Sequence, residues 1–264
     1  MGEYSVIQGG NALLAAVKPG FSYVRSTGFV FHQESPVAKF LKDRPLDFSI
    51  SSTGLGAGFG SSTAELVAAA CFLENRFPES TSLWNWYRTI HPEASGADLV
   101  VQMDALAKGR ALFKYGVGET TACEPTPILE HIHVFSVPSD RKILTHEALK
   151  RERKSLDLSR ANAWVEELRN TLESDDVSRL DVLSDWADWL KQLGLESAFA
   201  SEVRYAFQRC PNVAGVKGCG AGLNDVFLVA VHQNELDSRI SDLALRFGLK
   251  DLGPLSDLMW SPVT

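Results

Sequence analysis

The chain has 264 residues, of which 45% are hydrophobic and 22% charged, a composition for a folded domain with a sizeable core rather than a disordered or fibrous segment. Its formal net charge of -7 argues against a nucleic-acid or anionic-membrane partner, because both need a basic face; a local basic pocket for a phosphorylated metabolite remains compatible. Cys71, Cys123, Cys210 and Cys219 form no C-x-x-C pair, so they read as reduced thiols of a cytoplasmic protein, and no apolar run reaches the length of a membrane span.

In chain order, residues 4–30 are apolar with interspersed glycines, which predicts short strands turning at Gly9–Gly10 and Pro19–Gly20. The alternation in 46–51 predicts another strand. The glycine-rich run STGLGAGFGSS follows, then TAELVAAACFLENRF, which lacks glycine and proline and predicts a helix from about Ser61 to Arg76. Residues 80–91 predict a second helix, with Ser80 or Thr81 as its cap. EASGADLVVQ reads as a turn running into an apolar segment, and 110–115 and 131–136 read as strands. Beyond about Thr145 come long helices with apolar residues three and four apart: RANAWVEELRNTLE, VSRLDVLSDWADWLKQLG, stopped at Gly194, and ESAFASEVRYAFQRC. VAGVKGCGAGLNDVFLVAV reads as strand, glycine turn, strand, and LDSRISDLALRFGL closes the chain as a helix. The mixture has no regular βαβ alternation, which predicts an α+β fold. The prolines and threonines of TTACEPTPIL mark a domain boundary, giving domains of 1–125 and 126–264.

The glycine loop is the strongest candidate site. Gly54, Gly56, Gly58 and Gly60 let the backbone approach a ligand with no Cβ in the way, and the helix behind them presents unpaired N–H groups and a positive dipole end. Ser61 and Ser62 add hydroxyls that can cap the helix, contact phosphate or ligate Mg2+. A Walker A loop is excluded because no lysine precedes Ser61, and the G-x-G-x-x-G register fails at every start. A flexible, serine-capped turn is the plainer alternative.

Four segments in order resemble the GHMP kinases, the superfamily of galactokinase, homoserine kinase, mevalonate kinase and phosphomevalonate kinase. Gly56 to Ala64 stand in the register of a P-x-G-x-G-L-G-S-S-A loop, with Phe59 where leucine is usual. Gly2-Glu3-Tyr4-Ser5-Val6 resembles the first motif of the family, in the tyrosine form associated with phosphomevalonate kinases. Ser95-Gly96-Ala97-Asp98 resembles the S-G-x-D segment that carries the catalytic aspartate of mevalonate-type members, and Lys217 to Asp225 resembles K-x-[ST]-G-A-G-G-G-[DG], with Leu223 and Asn224 replacing two glycines.

The resemblance implies a two-domain GHMP kinase fold, with a ribosomal protein S5 domain 2-like N-terminal part and a ferredoxin-like C-terminal part. It implies transfer of the γ-phosphoryl group of ATP to an alcohol or phosphate oxygen, with mevalonate or phosphomevalonate as acceptor. The loop from Gly54 to Ser62 would wrap the ATP phosphates, and Ser61 or Ser62 would help hold Mg2+. Asp98 would take the acceptor proton or orient the attacking oxygen. Glu3 and Tyr4 would face the acceptor, with Gly220, Ala221 and Gly222 forming a wall between the domains. A different acceptor (a sugar or an amino-acid alcohol) and a catalytically weak nucleotide- or metabolite-binding relative are the other readings.

The family also carries a strand with a G-K pair ahead of the first motif. The chain begins at Met1-Gly2-Glu3, so the expectation is that Met1 is an interior residue of a longer strand. Mevalonate kinases place a Mg2+-binding glutamate eleven residues before the catalytic aspartate, where this chain has Tyr87. Asp98 is equally a turn residue or helix cap. His131 and His133 read as half a metal site or plain strand residues, Trp84, Trp86 and Tyr87 as core or a base-stacking surface, Trp186 and Trp189 as a buried helix face, and 151–154 as a solvated charge run. The acceptor is a small molecule, and the oligomeric state is left open, a homodimer included.

Overall fold

A computed structural model describes residues 11–16, 21–24, 36–41, 49–52, 61–74, 80–92, 95–109, 112–116, 119–124, 126–138, 157–220 and 225–259. Outside these lie the expected turns at Gly9–Gly10 and Pro19–Gly20, the glycines of 54–60 and the charge run at 151–154. The described residues are mixed helix and sheet, as the sequence predicts.

The first half builds a three-stranded antiparallel sheet in the order β1–β4–β5, from β1 (Asn11–Ala15), β4 (Leu112–Gly116) and β5 (Glu119–Cys123), and a separate ribbon of β2 (Phe21–Val24) with β3 (Ser49–Ser52). Four helices accompany them: α1 (Pro36–Phe40), α2 (Ser61–Glu74), α3 (Ser80–Ile90) and α4 (Ala97–Lys108). Leu66, Val67, Ala68, Ala69 and Ala70 of α2 are all buried, an apolar surface too broad for an amphipathic surface helix. Val37 of α1, Leu83 and Tyr87 of α3, and Leu99 and Met103 of α4 pack against it. The small alanines let these helices approach closely, and that approach carries the start of α4 to the start of α2.

The second half is a β-α-β-β-α-β arrangement. β6 (Ile132–Ser136) is followed by α5 (Leu158–Ser174), α6 (Val182–Gln192) and α7 (Ala198–Gln208), then β7 (Val213–Cys219), β8 (Val226–Val231), α8 (Ser238–Phe247), β9 (Lys250–Pro254) and the short α9 (Leu255–Leu258). The sheet runs β7–β8–β6–β9 with every described pairing antiparallel. β8 is buried at all six residues, and Phe135, Phe207, Phe199, Phe227 and Phe247 stack between sheet and helices. Trp186 and Trp189 are buried in the same core, as their spacing predicts.

The two halves share that core. Helix α5 lies on β1, where the Asn11 N–H donates to Asn162 Oδ1 at 2.7 Å, Lys114 pairs with Glu166, and Leu13, Leu112 and Cys123 meet Val165, Leu168 and Leu172. The TTACEPTPIL segment contributes residues to β5 and to a 3-10 turn, Pro127–His131. The four cysteines are free, and among the described residues no helix is long and apolar enough to cross a membrane.

Candidate active site at the tip of the second helix

Helix α2 starts at Ser61, so the first N–H groups at this end have no partner within the helix, and no acidic residue occupies its first turn. Thr63 stands in that turn and is buried at 1% exposure. Helix α4 starts at Ala97, behind Gly96, whose φ of 63° is left-handed. This geometry places Asp98 against the first turn of α2: the Thr63 hydroxyl donates to Asp98 Oδ2 at 2.8 Å. The Leu99 N–H donates to Asp98 Oδ1 at 3.0 Å, and the Gln102 amide donates to Thr63 Oγ1 at 3.3 Å. Burial pushes the Asp98 carboxyl above its ordinary value, against the opposing pull of the Thr63 hydroxyl and of the Leu99 and Asp98 N–H groups. Glu65, on the same helix, is also raised by burial.

The turn that aims Asp98 is built tightly. Ser95 is buried, its hydroxyl accepts from the Ala97 N–H at 3.4 Å, and its carbonyl accepts from the Tyr115 hydroxyl on β4 at 3.5 Å. The Trp84 indole of α3 covers Gly96 so closely that a Cβ there would lie 2.9 Å from the indole nitrogen. The Arg88 guanidinium sits 5.4 Å from the centre of the Trp84 ring.

Of the residues singled out from sequence, Asp98 and the start of α2 come together. Ser61 and Ser62 are the first two residues of α2, their side chains outside the description. Gly54, Gly56, Gly58, Gly60, Glu3, Tyr4, Ala221 and Gly222 lie outside the described residues. Gly220 follows β7 with a left-handed φ of 84°, and the Asp225 carboxylate folds over it, so close that a Cβ would meet Oδ2 at 2.0 Å. Lys217, from the same glycine segment, points into the core: its ammonium donates to the Gly218 carbonyl at 2.9 Å and lies 4.9 Å from the Trp186 ring. Burial lowers its pKa, against the opposing pull of Cys219 and Glu196.

The strand boundary shifts, and the histidines and aromatics take the plainer of the two roles their sequence allows. The strand expected over 131–136 starts one residue later, because His131 closes the preceding 3-10 turn. His131 Nδ1 lies 3.1 Å from the Val231 carbonyl and His133 Nε2 lies 3.2 Å from that of Asn234, with His133 Nδ1 3.9 Å from the Asp251 carboxylate. Among the described residues no group of three or more His, Cys, Asp or Glu side chains could hold a metal ion. Tyr87 is buried at 8% exposure beside His91, and Trp86 meets Phe40 edge-on, which makes both packing residues. Thr63 falls at the register position where the loop motif ends in alanine, and neither it nor Gln102 belongs to a residue pattern that marks a site.

No protein-family model matches the chain, and no curated protein matches it in sequence. Solved structures match over nearly the whole length. The mevalonate kinase of Methanococcus jannaschii aligns at a TM-score of 0.65 with 12% identity, over 95% of this chain and 93% of that one. The Streptococcus pneumoniae phosphomevalonate kinase aligns at 0.67 with 16% identity, over 95% and 94%. The Lactococcus lactis galactokinase solved with galactose aligns at 0.69 with 12% identity, over 100% and 92%. The chain has the fold these GHMP kinases share.

Proposed function

We propose that this chain is an ATP-dependent small-molecule kinase that transfers the γ-phosphoryl group to mevalonate or phosphomevalonate. The observation that carries the reading is the Asp98 carboxylate held at 2.8 Å from Thr63 in the first turn of α2. An anion site and a proton acceptor are thereby adjacent, and phosphoryl transfer to an alcohol needs both. The fold is the one adopted by kinases whose acceptors include mevalonate, phosphomevalonate and galactose. In this reading residues 1–125 bind ATP in an S5 domain 2-like part, and 126–264 form a ferredoxin-like part.

The residues present fit a nucleotide phosphate: the tip of α2 has no acid in its first turn, and Ser61 and Ser62 follow the glycine run. Gly54, Gly56, Gly58, Gly60, Ser61 and Ser62 would hold the phosphates, and one of the two serines would ligate Mg2+. Bound MgATP supplies the transferable phosphoryl group and the charge that neutralises it. Asp98 orients the acceptor hydroxyl and takes its proton at whichever carboxylate oxygen faces it. A carboxyl raised by burial is the better base for a reaction near neutral pH, because its proton affinity approaches that of the medium. Glu3, Tyr4 and the Gly220–Gly222 turn border the acceptor.

The buried Tyr87 favours one other reading, a nucleotide- or metabolite-binding relative with weak turnover, since no carboxylate stands at that position. ADP release measured with mevalonate, phosphomevalonate, galactose and homoserine separates the two. The kinase reading expects acceptor-dependent ADP from one of them, reduced about 10²- to 10⁴-fold in Asp98→Asn. ATP binding with no acceptor-dependent release would select the weak relative. The same substitution should raise thermal stability at neutral pH. A folded-state pKa above the unfolded one means the folded chain loses stability as pH rises from the ordinary carboxylate range through the raised value, and asparagine has no such loss.

A further inference from the structure

We propose that Thr63 is a positioning residue for Asp98: its hydroxyl, held in a donor orientation by the Gln102 amide, fixes the carboxylate at the tip of α2 for proton transfer. Helix α4 presents Asp98 and Gln102 four residues apart, on one face, and Thr63 of α2 sits between them. The order of donors follows from chemistry. An ionised carboxylate only accepts, so the single hydroxyl proton of Thr63 is committed to Asp98 Oδ2. Its oxygen is then an acceptor, and the Gln102 side chain must turn its NH2 group toward it.

Three donors thus engage Asp98 among the described residues: Thr63 on Oδ2, the Leu99 N–H on Oδ1, and its own backbone N–H. A carboxylate has roughly four acceptor sites, so about one remains for a substrate hydroxyl. All three donors favour the charged form, which is the form a base requires, and so limit the rise that burial imposes. Thr63 is buried at 1% exposure, where an unsatisfied hydroxyl is costly, so the arrangement is held by packing as well as by hydrogen bonding.

The catalytic part of this proposal rests on the kinase reading, while the hydrogen-bond part does not. The test is a titration of Asp98 by NMR in the full chain labelled with 13C-aspartate, beside pH profiles of kcat, in the wild type, Thr63→Val and Thr63→Ser. Valine keeps the shape and removes the donor; serine keeps the donor. Thr63→Val should raise the Asp98 midpoint by about one pH unit and move the acid limb of kcat with it, a loss of about tenfold below both midpoints. KM for ATP should stay within about twofold, and Thr63→Ser should restore midpoint and profile. If the valine variant does not fold, Thr63→Ala carries the same comparison.

An unchanged Asp98 midpoint in the valine or alanine variant overturns the positioning role, whatever the turnover. A shifted midpoint with an unmoved kcat profile overturns its catalytic part. A shifted midpoint in a chain whose wild type shows no turnover supports the hydrogen-bond role and removes the kinase reading instead.

Discussion

Two charged groups are placed in the interior of this molecule on opposite terms. Arg204 of α7 is fully buried, yet Glu196 meets it at 2.7 Å, Asp188 at 2.8 Å, and the Tyr205 ring lies 4.5 Å away. Glu196 is itself buried and also accepts from the Ser201 hydroxyl at 2.6 Å. Burial alone would lower the Arg204 pKa, but the two carboxylates outweigh it and hold it well above its ordinary value. Asp98 has only neutral donors among the described residues: a threonine hydroxyl and backbone N–H groups. Its environment works against its charge, whereas that of Arg204 works for it. Matched charge stiffens the second half. A mismatched carboxylate at a helix tip is a stability cost that a binding or reaction site can use.

The comparison breaks most visibly if the matched site is unmatched. Arg204→Ala leaves Glu196 buried with its cation removed, and should destabilise the chain by about 3–5 kcal/mol in urea unfolding. The Asp98 titration should stay where it was, because Asp98 lies on α4 in the first half of the chain and Arg204 on α7 in the second. A loss under about 1 kcal/mol would mean that water reaches Glu196 and that the site is less dry than its geometry indicates.

A smaller effect sharpens the other side. Gly96→Ala forces a side chain into a left-handed turn and against Trp84, at a cost of about 1–3 kcal/mol. Because Asp98 lies two residues on, the Asp98 hydrogen bond to Thr63 should weaken too. The checks are the melting temperature and the Asp98 midpoint. Lost stability with an unmoved midpoint would show that the turn supports the fold without aiming the carboxylate.

Helices α5 to α8 are legible in the sequence through their apolar period, α2 through a run of strong helix formers free of glycine and proline, α3 through its cap, and β7 and β8 as a glycine-linked pair. Helix α4 was not read as a helix. Its Val100–Val101 pair resembles a strand, and what makes it helical is Leu99 and Met103 packing under α2, a tertiary fact. β5 is mostly polar and becomes a strand through its pairing with β4, and β9, which contains glycine and proline, follows the helix predicted to close the chain and edges β6. Asp98 could be singled out only through resemblance, since an aspartate after Ser-Gly is also an ordinary turn residue. Thr63 and Gln102 left no local mark. They act 35 and 39 residues from their partners, across two helices whose mutual placement no spacing rule supplies.

Lys217 is the residue that strains the contrast, because it is perturbed but lies in the structural half. It is buried at 1% exposure, its ammonium has the Gly218 carbonyl and the Trp186 ring, and no carboxylate pairs with it directly among the described residues. If mismatch alone marked function, Lys217 would rank beside Asp98. The physical difference is access: its amine faces a core ring, while Asp98 stands at a helix tip. Lys217→Met keeps the stem and removes the charge, so it should leave stability at neutral pH unchanged or raise it by about 1 kcal/mol. The sign follows from the lowered pKa. The folded chain binds the Lys217 proton less readily than the unfolded chain, so wild-type stability rises as pH climbs from the lowered value toward the ordinary lysine range. The methionine variant has no such rise, and any advantage it holds should shrink between neutral pH and about pH 10. A gap that stays constant across that window would mean the ammonium is solvated after all, and the contrast between matched and mismatched interior charge would then rest on Asp98 alone.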